Sequence, residues 1–228
     1  MKTHSKTLPV LAIASAILLS VSTSHAAVVI QSFESGNLSG WGAGTLNGST
    51  TTVTTDRATD GTHSAANSFT VAAGFSGWTM NTIIEIDPRT IMDASTTTLS
   101  VDVYSNWSNP NGWGVYGNSI TLILNNSNGW TTVGPSSGSL ANGSFQTLTW
   151  DMTPIAAAIT DPGLAWSSIG IAWFVGTWAG DGGGGVYTDN GTQTFGIDKI
   201  SITSVPEPSA AAALGALGVL AFLRRRRF

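Results

Sequence analysis

Between residue 27 and residue 205 the chain is a succession of short apolar-polar alternations broken by turn dipeptides. Leu99, Val101 and Val103 alternate with Ser100, Asp102 and Tyr104, a period of two that puts the apolar side chains on one face of a half-buried strand. Ile120, Leu122 and Leu124 repeat the pattern. Further strands are predicted over 28–33, 50–55, 65–71, 78–86, 145–151, 169–175 and 194–203. Asn47-Gly48, Asp60-Gly61, Asn111-Gly112, Asn128-Gly129, Asn142-Gly143 and Asn190-Gly191 separate them, since Asn-Gly and Asp-Gly enter the left-handed region that tight turns require. Only residues 154–159 suggest a helical turn. Many short strands with regular turns predict an all-β fold, a jelly-roll β-sandwich.

The two ends follow other patterns. Lys2, His4 and Lys6 precede an apolar run over 8–21 and then Ser24-His25-Ala26. A basic start, an apolar stretch too short for a membrane span and small residues before a cut define a signal peptide. Cleavage is expected between Ala26 and Ala27, with signal peptidase as partner. At the other end Val205-Pro206-Glu207-Pro208 breaks the last strand. An uncharged Ala/Leu/Gly run over 209–223 follows, closed by Arg224, Arg225, Arg226 and Arg227. Fifteen helical residues span roughly 22 Å, a marginal transmembrane helix. The arginines would stay cytoplasmic and the body outside. The expected organisation is thus a signal peptide over 1–26, a sandwich over 27–204 and a tail over 205–228.

Charge narrows the function classes. Only 10% of the residues are charged, so hydroxyls and amides must carry the surface. From residue 27 to residue 205 the bases Arg57, Arg89 and Lys199 face twelve acids, a net charge of −9 that repels phosphate backbones and excludes nucleic acid as a partner. With no cysteine, neither disulfides nor thiol chemistry is available.

The Pro-Glu-Pro triplet, short apolar helix and arginine block together resemble the PEP-CTERM sorting signal of Gram-negative bacteria. The resemblance implies that exosortase processes the tail. It also implies passage through the inner membrane to the cell surface or extracellular matrix, where such proteins accompany exopolysaccharide and biofilm.

The body resembles carbohydrate-binding-module and galactose-binding-like jelly rolls. The resemblance rests on Gln31 to Gly36 with Gly40-Trp41, on Thr59 to Ser64, on Phe145 to Thr153 and on the closing strand around Gly196-Ile197-Asp198. It implies a structural calcium shared by Glu34, Asp60 and Asp198. In the closing strand Asp198 shares its parity with Ile200 and Ile202 rather than with Ile197, which predicts a bulge or an inward-facing acid.

Aromatic residues supply the candidate glycan contacts. Trp113, Tyr116 and Trp130 lie in Asn/Gly-rich surroundings, where a ring can stack on a sugar's C–H face while amides bond its hydroxyls. Trp41, Trp150 and Trp173 have strand contexts and are expected in the core. Glu85-Ile86-Asp87 resembles half of a jelly-roll glycoside hydrolase motif, but Thr90 stands where the second glutamate belongs. With Glu34 the only other glutamate between residues 27 and 205 and one histidine, His63, in that stretch, no catalytic residue is assigned. The expectation is a non-enzymatic, exported matrix protein. The alternative is a carbohydrate-binding module holding exopolysaccharide; a glycoside hydrolase is a remote third.

Overall fold

The computed structural model describes residues 27–46, 49–70, 77–107, 115–133, 140–159, 161, 163–177 and 192–205. The signal segment through Ala26, the tail from Pro206 through Arg227 and Trp113 lie outside the described residues. Among the described residues no helix is long and apolar enough to cross a membrane.

Residues 27–204 form one compact unit. Its strands are β1 (Ala27–Gln31), β2 (Gly42–Ala43), β3 (Thr45–Leu46), β4 (Ser49–Thr50), β5 (Thr52–Thr54), β6 (Ser64–Thr70) and β7 (Gly77–Ile86), followed by β8 (Thr96–Trp107), β9 (Val115–Asn126), β10 (Gly129–Val133), β11 (Ser144–Asp151), β12 (Trp166–Thr177) and β13 (Thr192–Ser204). Among the described residues one α-helix, α1 (Thr153–Ile159), lies where the sequence suggests a helical turn. One sheet has the order β11-β8-β13-β6-β5, with β1 also paired to β13; the other has the order β10-β9-β12-β7-β2. The pairings within both sheets are antiparallel. The result is the predicted sandwich.

The alternation read from the sequence decides which face is inside. Leu99, Val101 and Val103 of β8 and Ile120, Leu122 and Leu124 of β9 are buried, and meet Ile169, Ile171 and Trp173 of β12 and Phe195, Ile197 and Ile200 of β13. Trp173 stacks on Phe195 across the two sheets, with centroids 5.5 Å apart at 27°. Offset aromatic pairs of this kind add about 0.5–1.5 kcal/mol beyond the area they bury. Trp41 and Trp150 are core residues as expected.

Two segments depart from the expected strands. The first strand ends at Gln31 because Phe33 turns into the left-handed region (φ 62), which carries its ring fully into the core. The Gln31 side chain holds this bend by accepting the Ser32 and Phe33 N–H groups and donating to the Leu38 carbonyl. Glu34 then points outward. In β13 the register shifts between Asp198 and Ile200, with Lys199 at φ 40. This is the bulge that the Asp198 parity predicts, and it returns Ile200 to the core.

Candidate functional site

Two surfaces carry chemistry, one on the outer face of each sheet. The first is organised by the segment 55–63, which lies against the outer face of the six-stranded sheet. Asp198 is fully buried beneath it. Its Oδ2 accepts the Thr59 N–H at 2.5 Å, the Asp60 N–H at 2.9 Å and the Thr59 hydroxyl at 3.0 Å, and its Oδ1 accepts the Lys199 N–H at 2.7 Å. Glu34 holds the other end of the turn. Its Oε1 accepts the Thr62 and His63 N–H groups at 2.8 and 2.7 Å, and its Oε2 accepts the Thr62 hydroxyl at 3.2 Å. These backbone donors, His63 first and then Thr62, hold the Glu34 carboxyl below the ordinary glutamate range.

The calcium expectation concerns this same turn. Calcium takes six to eight hard oxygens, whereas a carboxylate offers about four lone-pair positions. Asp198 accepts four donors, three of them backbone N–H groups, with three of the four on Oδ2 and one on Oδ1. Among the described residues no three of His, Asp and Glu gather to hold a metal ion. Glu34, Asp60 and Asp198 are brought to one turn, as the sequence suggests, but in an arrangement suited to N–H donors.

Beside this turn is a groove of about 260 Å³, lined among others by Asp56, Arg57, Ser68, Tyr104, Phe145 and Gly196. The Arg57 guanidinium lies over the Tyr104 ring, 4.3 Å from its centroid. Phe145 leans on the same ring at 5.3 Å and 50°. The sheet around it is faced with hydroxyls paired across strands: Ser68 with Thr194 at 2.8 Å and Ser100 with Thr149 at 2.9 Å. Asp102 accepts the Thr59 and Thr147 hydroxyls at 2.8 and 2.5 Å. The outward parity of Tyr104 is visible in the sequence. The cover supplied by residues 55–63 is not, because Thr59 and Asp198 are 139 positions apart.

The second surface is the β9–β10 hairpin. Its two-residue turn, Ser127-Asn128, is closed by the Asn128 N–H to Asn126 Oδ1 at 2.8 Å and tied to the body by the Ser127 N–H to the Ala165 carbonyl at 2.8 Å. Gly129 (φ 104) is the position where the chain needs left-handed backbone. Val133 is buried, so Trp130, of opposite parity, stands on the outer face; it is 63% exposed. It pairs with Asn125, which pairs in turn with Ser168, a row of ring, amide and hydroxyl. After β7, Arg89 grips Asp87 through Nε and Nη2, both at 3.1 Å, and donates to the Trp166 carbonyl at 3.2 Å. Of the other predicted glycan contacts, Trp113 and the Tyr116 side chain lie outside the described residues. Val205 follows β13 and is exposed.

Comparison with known proteins separates the body from the tail. Residues 204–227 match the PEP-CTERM protein-sorting motif. The chain therefore carries a signal for export and sorting to the cell envelope, which implies exosortase as the processing partner. No curated protein matches the chain. Among solved structures it is similar to a carbohydrate-binding module of the β-sandwich superfamily, at 16% identity and TM-score 0.51, covering 76% of this chain and 61% of that one. The chain thus spans less than two thirds of that protein. It is also similar to the CBM22-1 xylan-binding domain from Paenibacillus barcinonensis, at 16% identity and TM-score 0.45, covering 81% and 99%. A third likeness is to the CBM22-1-GH10 modules of a Clostridium thermocellum endo-1,4-beta-D-xylanase complexed with xylohexaose, at 14% identity and TM-score 0.47, covering 79% and 29%. At such identities the first likeness shows the fold: the β-sandwich of carbohydrate-binding modules.

Proposed function

We propose that this protein is exported, sorted by its tail to the outer surface of a Gram-negative cell, and there holds carbohydrate of the extracellular matrix or biofilm without catalysing a reaction. The observation that carries the binding reading is Trp130: a large aromatic ring, 63% exposed, fixed on a closed hairpin beside Asn125. An apolar ring of this size left in water on a rigid strand is the platform a pyranose C–H face stacks on, while the neighbouring amide bonds its hydroxyls. Exopolysaccharide is the proposed ligand because the sorting motif directs the chain to the envelope.

The non-catalytic part of the proposal rests on the carboxylates. Glu85 lies on β7 opposite Gly42 and Gly170, while Glu34 is committed to the turn at 62–63. These are the two glutamates of the body; Glu85 stands in the five-stranded sheet and Glu34 in the turn that follows β1, against the paired carboxyls that glycoside hydrolysis needs. The test is affinity electrophoresis of the purified protein in gels containing neutral polysaccharides, compared with Trp130→Ala. Retardation lost or markedly reduced in the variant supports the reading; equal retardation of both proteins, or none for either, removes it.

A further inference from the structure

We propose that the groove on the outer face of the six-stranded sheet is a second carbohydrate site, taking one neutral glycosyl unit, so that the domain holds glycan on both faces. The groove is independent of Trp130; only the two-faced consequence rests on the reading of Trp130 given above.

Its construction points to a small ligand rich in hydroxyls. At the floor, a β-carbon on Gly196 would come within 3.4 Å of Tyr104 Cβ, so glycine keeps the centre of the sheet low. Tyr104 is only 5% exposed, and the Arg57 guanidinium is held over its ring by a cation–π contact. An arginine held this way presents its N–H edge already oriented, with less rotamer freedom to lose on binding. Among the described residues its charge is not spent on a carboxylate: the two ion pairs are His63–Glu34 and Arg89–Asp87. Asp56, its neighbour in the chain, opens on the same groove as an acceptor, and Ser68 and Thr194 add hydroxyls that both donate and accept. Phe145, half-buried against Tyr104, supplies an apolar wall.

Charge and size decide the class of ligand. A fixed donor beside an acceptor matches vicinal hydroxyls, each of which gives one hydrogen bond and takes another. A polyanion is disfavoured twice, by Asp56 within the groove and by the net charge of −9 over residues 27–205. A volume of about 260 Å³ lies just below the roughly 300–1,000 Å³ of pockets for drug-sized molecules, the scale of a sugar ring or two rather than of a long chain segment. A chain end or a branch fits. The groove lies on the outer face of one sheet and Trp130 on that of the other, so one domain can bridge two strands of glycan.

The test uses the purified protein and three variants, Arg57→Gln, Phe145→Ala and Trp130→Ala, with melting temperature measured for each. Calorimetric titration with neutral mono- and disaccharides, and with a polyuronate, is paired with agglutination of beads coated in a neutral polysaccharide. The expected result is that Arg57→Gln and Phe145→Ala each weaken binding of a neutral sugar at least tenfold without unfolding. Arg57→Gln and Trp130→Ala should each abolish agglutination while still binding the beads. If Trp130→Ala alone removes all binding and the groove variants stay within twofold of the parent, the groove proposal fails. If the groove variants alone remove it, the groove stands and the Trp130 reading fails. Arg57-dependent binding of the polyuronate, with no response to neutral sugars, overturns the ligand class.

Discussion

The carboxyl group of Glu34 occupies the space where a side chain on Gly61 would begin: a β-carbon there would lie 2.3 Å from Glu34 Cδ and 2.5 Å from either oxygen. Gly61 also has φ 77, a backbone region that costs other residues about 1–2 kcal/mol. Strain and overlap act together, so Gly61→Ala should destabilise the protein by roughly 2–4 kcal/mol. At about 2–4 °C per kcal/mol for a domain of this size, the melting temperature should fall by roughly 5–15 °C. A thermal melt decides it, and an unchanged midpoint contradicts the packing described.

Glu34 also gives the turn a pH dependence. Its pKa is lowered in the folded state, chiefly by the His63 N–H and then by the Thr62 N–H. A depressed acid pKa means stability that is present above the unfolded value, about 4.3 for glutamate, and lost as pH falls through the folded one. Removing the charge with Glu34→Gln should therefore flatten the stability profile below about pH 5. Asp87, Asp93 and Asp151, also lowered by their own hydrogen bonds, remain in both proteins and cancel in the comparison. Denaturant midpoints measured from pH 7 to 3 should converge at the acid end; parallel curves would show that the turn does not depend on this carboxyl.

Asp198 is the buried counterpart. Deleting its side chain strands the part-buried N–H groups of Thr59, Asp60 and Lys199; unsatisfied donors cost about 1–3 kcal/mol each when fully buried and less where water can reach them. Asp198→Ala should lose roughly 3 kcal/mol and release residues 55–63, read as faster amide exchange at Thr59 and Asp60. Because Asp198 Oδ2 is taken up by three hydrogen bonds within the turn, a chelator should leave the melting temperature of the parent protein unchanged. A drop of several degrees in chelator, reversed by added calcium, would restore the calcium staple that the sequence resemblance implies.

Much of the fold is legible in the sequence because strand parity is a local property. Leu99, Val101 and Val103, like Ile120, Leu122 and Leu124, lie inward as their alternation requires. The tryptophans sort by the same logic: Trp41, Trp150 and Trp173 are in the core, and Trp130, placed after an Asn-Gly turn, is in solvent. What the sequence hides is non-local. The bend at Phe33 is stabilised by its own ring in the core rather than by a glycine, and so carries no turn signal. The groove depends on residues 55–63 meeting β8 and β13, contacts between segments that neither composition nor spacing relates. β10 and β2 are too short, at five and two residues, for periodicity to reveal them.

The tail yields a prediction of mass. Residues 204–227 carry the sorting motif, so the mature protein recovered from its host should begin at Ala27 and end near Pro206. Intact-mass spectrometry reads both ends at once. A protein that retains Arg224 to Arg227 contradicts processing by exosortase.

The central claim, that this sandwich holds carbohydrate, is tested most directly by the mobility of the Trp130→Ala variant in polysaccharide gels. Trp130 is largely in solvent, so the substitution should leave the melting temperature within about 2 °C of the parent. The account predicts retardation of the parent in at least one neutral polysaccharide and its loss or marked reduction in the variant. Equal retardation of the two proteins, or free migration of the parent in every polysaccharide, would contradict it.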